Sequence, residues 1–309
     1  MRLTVDFPSV VHRNGPAEIA RLATAIEDMG YDEIDMFDHV VMGHPEPDRE
    51  SGPYPSNMPI LEALVTLGYI AAVTERVGLG TEVLVLPQRQ PVLAAKQFST
   101  LDTLSGGRLR VGVGVGWQES EYEALGMNFH TRGAAMDEAI ELMKACWSDS
   151  SIDFEGEHFV SRAMAMEPKP PQSTPEGGRI PIWIGGGSKA ALRRAGRIGD
   201  GWMASGILGD AAVVAIATIK AAAEQAGRDP DALEFQCQLA MPPRAGDPST
   251  REYWARSADV AATAAAAQEA GFGWAAVNAT GVFVAGARSI DAMIDQLSVL
   301  HDAIRAETG

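Results

Sequence analysis

The sequence predicts an α/β protein built as a closed (β/α)8 barrel, with an extended loop after the second strand and an insertion before the fifth. Three observations lead there. Strand-like and helix-like segments alternate in eight units, the pattern of a parallel sheet with right-handed crossovers. The chain has 309 residues, the size such a barrel needs. Neither half carries edge-strand protection, as two separate open sheets joined through the proline-rich stretch near 168–181 would require. That two-sheet arrangement ranks second, and the whole of 1–309 is read as one barrel domain.

Leu3 to Phe7 forms the first strand. Ala17 to Met29 is helical, with Ile19, Leu22, Ile26 and Met29 on one face and Gly30 ending it. Glu33 to Val40 is the second strand, and residues 41–59 form a long loop with five prolines: Pro45, Pro47, Pro53, Pro55 and Pro59. A helix at 61–76, a third strand at 77–86 and a helix at 92–104 follow. Gly106-Gly107 supplies the backbone freedom that the end of this last helix demands. The fourth strand, Arg108 to Trp117, alternates Leu109, Val111, Val113 and Val115 on one face with Arg110, Gly112, Gly114 and Gly116 on the other. Glycine at every second position leaves a bare strip that something approaches closely. It is either tight packing inside a small barrel or a flat ring lying on the backbone.

Glu119 to Leu125 reads as a short helix and Arg132 to Trp147 as a longer one. Residues 150–180 are irregular, with a small hairpin at Phe154 to Val160 and then Pro168, Pro170, Pro171 and Pro175. Strands at 180–184, 201–205, 233–241 and 274–278 alternate with helices at 189–197, 210–226, 258–270 and 290–305.

The chain carries 25 basic against 41 acidic residues, a net charge of −16. Nucleic acid and anionic membrane surfaces repel that charge, so both are excluded as partners. Cys146 and Cys237 lie in apolar periodic segments and read as reduced buried thiols. There is no apolar signal core or membrane-length run, so a cytoplasmic location is expected.

Function in a parallel barrel sits at the C-terminal strand ends. The second strand ends in Phe37-Asp38-His39, where a histidine titrates near neutral pH and serves as acid or base; a plain structural hydrogen bond is the other use. Glu82 is a carboxylate in an otherwise apolar third strand, either a rim charge or a functional group. Trp117 ends the fourth strand, as a cover for a planar ligand or for the core. The fifth runs into Gly185-Gly186-Gly187-Ser188 and a helix. Glycine-freed N–H groups at a helix start bind phosphate, and Ser188 also fits a plain N-cap. Gly112-x-Gly114-x-Gly116 lies inside a strand, so it is not a dinucleotide fingerprint. His39 and His44 lack a third ligand nearby, so no metal site is expected.

With these residues in view, the chain resembles the bacterial-luciferase-like flavin and deazaflavin oxidoreductases over nearly its whole length. The resemblance is densest at Ala25 to His39, Glu75 to Trp117 and Ile180 to Trp202. Leu-Asp-Thr-Leu-Ser-Gly-Gly-Arg followed by Gly-Val-Gly-Val-Gly-Trp is its most specific run. Asp38-His39 and the Val-Leu-Val-Leu-Pro third strand are most similar to the branch using the deazaflavin coenzyme F420. The resemblance implies a (β/α)8 barrel, usually dimeric, with His39 as the active-site histidine and Glu82-Val83 as a non-proline cis peptide against the ring. It also implies Asp38, Val115 and Gly116 about the ring, and Gly185, Gly186, Gly187 and Ser188 on the cofactor phosphate. Trp117 and Tyr54, the latter in a lid at 41–59, would enclose a small-molecule substrate. Sugar-phosphate dehydrogenases of the family carry a catalytic Glu where this chain has Trp117, which implies a different substrate. Many relatives have a small residue where Glu82 stands. The implied activity is hydride transfer between coenzyme F420 and an organic substrate. FMN with oxygen, as in a monooxygenase, is the alternative, and a non-catalytic carrier or sensor is a remoter one.

Overall fold

A computed structural model of the chain describes residues 1–47, 52, 54–173, 179–240 and 248–309, with the backbone alone at 14 and 248–251. Pro53 and the 48–51 part of the predicted lid, Pro175, and Met241 at the predicted end of the seventh strand lie outside these.

The described residues form eight parallel barrel strands: β1 (Arg2–Asp6), β2 (Glu33–Met36), β3 (Gly78–Thr81), β4 (Leu109–Gly114), β5 (Ile182–Gly185), β6 (Gly201–Ala204), β7 (Glu234–Gln238) and β8 (Trp274–Asn278). Their order around the sheet is β3-β2-β1-β8-β7-β6-β5-β4, and β3 pairs with β4 to close the ring, Leu79 opposite Leu109 and Gly80 opposite Arg110. This is a (β/α)8, or TIM, barrel. After Thr81 the third strand breaks at a cis Glu82–Val83 peptide and resumes as Leu84–Val85, paired with Val113 and Gly114.

Strand lengths are shorter than the apolar runs suggest. β2 stops at Met36, and Phe37 to Val40 continue without ladder partners at the mouth. β4 stops at Gly114 because Gly116 adopts a left-handed φ of 67° that turns the chain out of the sheet. The hairpin is longer than expected, Ile152–Glu155 against Val160–Met164. Short helices at Pro248–Ala255 and Ala279–Ala285 are additional to the predicted set. The helix before β4 ends on Gly106 at φ 70°, with the Gly107 N–H returning to Asp102 O at 2.8 Å, as its glycine pair requires.

The two faces of β4 part as their side chains dictate. Leu109, Val111 and Val113 are buried in the apolar layer between strands and helices. The glycine face turns inward, and side chains occupy it. A Cβ at Gly112 would meet Met203 Sδ at 2.4 Å and Thr81 O at 2.0 Å, and one at Gly114 would meet Val83 Cγ2 at 2.7 Å. At Gly112 and Gly114 the bare strip therefore serves tight packing inside the barrel, while Gly116 stands in the wall of the cavity at its mouth. Below, Arg110 lies across Trp183 and Trp274, 4.1 and 5.0 Å from their ring centres. No helix among the described residues is long and apolar enough to cross a membrane.

Candidate active site

The C-terminal mouth of the barrel encloses a cavity of about 200 Å³. Its wall includes His39 and Asp38 past β2, Glu82 and Val83 from the bulge, Gly116 and Trp117 past β4, Gly185 and Gly186 at the end of β5, and Tyr54 from the long loop. Strands far apart in sequence converge there because a parallel barrel delivers all its C-terminal ends to one rim.

His39 is buried, and its Nδ1 lies 3.0 Å from Oε2 of buried Glu121. Glu121 comes from the short helix Glu119–Ala124 that follows β4. Its Oε1 accepts the backbone N–H groups of Val40 at 2.6 Å and Val41 at 3.2 Å. Burial raises this carboxyl, but the hydrogen bonds from His39 and Val40 outweigh it and hold Glu121 below the ordinary carboxylate range. An ionised Glu121 accepts a hydrogen bond from the Nδ1–H, which leaves Nε2 as the ring nitrogen not engaged by Glu121. Gln118 completes the clamp, donating Nε2 to Val41 O at 2.7 Å and accepting the Gly43 N–H at 3.1 Å. The first residues of the long loop are thus fixed to the β4 side.

Aromatic rings flank His39 edge-on: Tyr54 at 5.8 Å and Trp117 at 5.4 Å between ring centres. Trp117 is 43% exposed. The loop nevertheless reaches it, since a Cβ at Gly52 would strike its ring at 2.5 Å.

Other predicted site residues have partners of their own within the protein. The Asp38 carboxylate is taken up by Arg89, at 2.8 and 2.9 Å, and by the Val85 N–H at 3.0 Å. It fastens the resumed third strand to β2. Val115 does not line the cavity; it packs against the core, and its carbonyl accepts the Tyr122 hydroxyl at 2.6 Å. Gly187 and Ser188 lie outside the wall, exposed beside Gly186. The Ser188 hydroxyl caps the helix Lys189–Ile198 by accepting the Ala191 N–H at 3.2 Å. Buried Trp202 anchors the turn, its Nε1 donating to Gly186 O at 2.9 Å.

Glu82 reaches inward. Gln236 Nε2 donates to its Oε2 at 2.5 Å, and Asp6, Asp35 and Glu82 bring carboxyl oxygens within 4.8 Å of one another, a grouping of a kind that could hold a cation. Burial first, then the charges of Asp6 and Asp35, push Glu82 well above the usual range. Sequence reasoning named Glu82 but missed Glu121, Gln118 and the two aspartates, Asp6 and Asp35, that gather beside it. Only the fold shows that Glu121, of three acidic residues in its helix, faces inward.

A model of one family, described as luciferase-like monooxygenase, matches residues 3–299. The chain belongs to that family. Among curated luciferase-like relatives, the F420-dependent glucose-6-phosphate dehydrogenase of Nocardia farcinica is 31% identical over 250 residues, 77% of this chain and 68% of that one. An uncharacterized protein of Mycobacterium tuberculosis is 35% identical over 216 residues, 67% of this chain and 72% of its own. Among solved structures, an F420-dependent secondary alcohol dehydrogenase with an F420-acetone adduct superposes with a TM-score of 0.75 at 18% identity, over 98% of this chain and 99% of that one. At that identity the superposition speaks for the luciferase-like fold alone.

Proposed function

We propose that this luciferase-like protein is an oxidoreductase that moves a hydride between coenzyme F420 and a small organic substrate. The observation that carries the reading is His39 at the barrel mouth, held by Glu121 and flanked by Trp117 and Tyr54. The F420-dependent dehydrogenases among its relatives support the choice of cofactor.

The residues fit a planar ring. Val83, Val85 and Trp117 give apolar contact, and Gly116, Gly185 and Gly186 add only backbone to the wall, with Val85 seated against Gly116 and Val83 against Gly185. The exposed Gly185–Ser188 turn, opening a helix of 10 residues, suits the cofactor's phosphate. A chain with net charge −16 leaves an anionic tail in solvent. When bound, the deazaflavin supplies a two-electron hydride donor or acceptor. The protein's own part is to orient the substrate between Trp117 and Tyr54, exclude water, and exchange one proton at His39 Nε2. Trp117 carries no titratable proton, which favours a substrate other than a sugar phosphate.

Titrating the purified protein with each cofactor tests this. Micromolar binding of F420 without FMN is expected. FMN binding without F420 overturns the reading in favour of a monooxygenase, and F420 binding without oxidation of the reduced form by any acceptor favours a carrier or sensor. We also propose a cytoplasmic homodimer. Val65 and Leu93, 74% and 58% exposed on the adjacent helices Ala63–Ala71 and Pro91–Ser105, offer an apolar face to a second copy. Light scattering checks it.

A further inference from the structure

Beneath the cavity the barrel holds more negative groups than positive ones. Asp6 from β1, Glu33 and Asp35 from β2, and Glu82 from the bulge gather around one guanidinium, Arg110. Arg110 is already divided, its Nε on Glu33 at 2.6 Å and its Nη2 on Asp35 at 3.0 Å. Gln236 donates Nε2 to Asp35 at 3.1 Å and to Glu82 at 2.5 Å. Asp6 Oδ2 accepts from Gln238 at 3.2 Å, while its Oδ1 is buried with no donor among the described residues. Carboxyl oxygens of Asp6 and Glu82 lie within 4.8 Å of each other, and the unpartnered Oδ1 leaves Asp6 an acceptor to spare. Two ionised carboxylates are acceptors only and repel at such a separation in a buried site, and a proton on one of them turns that repulsion into attraction.

A cation would be another way to hold the trio together. The donors argue against it: Gln236 Nε2 donates to Asp35 and Glu82, and the Arg110 cation donates Nη2 to Asp35, so N–H groups and a fixed positive charge already occupy these oxygens.

We propose that Glu82 and Asp6 share one proton, and that Glu82, which lines the cavity, passes it to a basic atom of the molecule bound there. The identity of that molecule rests on the oxidoreductase reading above. In the step, the Glu82 O–H bond breaks and the proton joins a ring nitrogen or an oxyanion of the ligand. The carboxylate left behind keeps the Gln236 hydrogen bond, and water entering at the mouth returns the proton. No electrons move in this exchange.

The electrostatics agree. Burial, then the Asp35 charge, lift Asp6 to about 7 despite its hydrogen bonds. Burial and the two neighbouring aspartates lift Glu82 well above the ordinary range, with Arg110 opposing. Glu33 is raised by burial against Arg110. Tyr54, which lines the cavity beside Glu82, and Cys237, buried on the other face of β7, are pushed up by burial first, so both stay neutral near pH 7.

The test is a pH titration of carboxyl-labelled protein, free of cofactor, by infrared or carbon NMR. Wild type is expected to keep protonated carboxyl signal at neutral pH. Glu82→Gln should lose one residue's worth of it, and in Asp6→Asn the Glu82 signal should titrate lower. A wild type with no protonated carboxyl at neutral pH overturns the pair, as does a signal undiminished in Glu82→Gln. Magnesium or calcium that removes the signal at one ion per chain overturns it as well. With reduced F420 as the probe, Glu82→Gln should turn over about 100-fold more slowly at nearly constant KM, and unchanged turnover overturns proton delivery. If wild type binds no F420, the oxidoreductase reading fails, while the cofactor-free titration still decides the shared proton.

Discussion

His39 and Glu121, 82 residues apart in the chain, meet Nδ1 to Oε2 at 3.0 Å behind the cavity wall. The carboxylate fixes the tautomer and aim of the imidazole, as second partners of working histidines do. Glu121→Gln keeps the volume and one acceptor but loses the charge. Turnover is expected to fall by about 10–100-fold, with its pH profile shifted toward lower pH, while F420 affinity stays within about twofold. His39→Ala should lower turnover further, again with little change in affinity. Equal turnover in either variant, measured by reoxidation of reduced cofactor, refutes the assignment.

The side chain of Val83 occupies the space above two glycines. A Cβ at Gly114 or at Gly185 would meet it at 2.7 Å. Gly114→Ala is expected to destabilise by about 1–3 kcal/mol, the usual cost of overpacking, and to weaken cofactor binding as Val83 is displaced. Adding Val83→Ala to Gly114→Ala should recover part of the stability, because the pair is in contact and its effects are not additive. Additive losses in urea unfolding would show that the two positions do not communicate.

Most of the barrel was legible in the sequence because its signals are local. Alternating apolar runs, helix periodicity and the Gly106-Gly107 stop each need only neighbouring residues. The glycine strip shows where that reading ends. Spacing told that something approaches Gly112, Gly114 and Gly116 closely, but not that Met203, Val83 and Val85 do. Asp38 likewise stood at a strand end, yet its partner Arg89 lies 51 residues away, past the bulge. Glu121 was invisible for the same reason. One acidic residue among three becomes distinct only when the helix after β4 docks on the turn after β2.

Arg110 offers a check on the barrel's charged interior. Replacing it with Met leaves Glu33 and Asp35 without their guanidinium, and removing one partner of a buried pair costs about 3–5 kcal/mol. The urea midpoint of Arg110→Met is expected to drop accordingly at neutral pH with an unchanged m-value, and to recover in part at low pH, where the orphaned carboxyls take up protons. A midpoint unchanged at neutral pH would mean that Trp183 and Trp274, not the ion pairs, set the worth of this side chain.

Stability should also depend on pH in two opposed ways. Glu121 is held below the ordinary range in the folded chain, so its contribution is present above the unfolded value and fades as pH falls. Asp6 is lifted from 3.8 to about 7, chiefly by burial, so the folded state holds a proton that the unfolded chain has released. Its contribution is complete below the unfolded value and is lost as pH rises through about 7. Glu82 and Glu33, also raised by burial, act in the same sense. The urea midpoint of wild type should therefore decline from mildly acid pH toward alkaline pH. In Asp6→Asn, which cannot ionise at that position, the decline should be shallower, while the acid limb governed by Glu121 stays where it was. Parallel curves for the two proteins across that range would show that Asp6 ionises without cost to the fold.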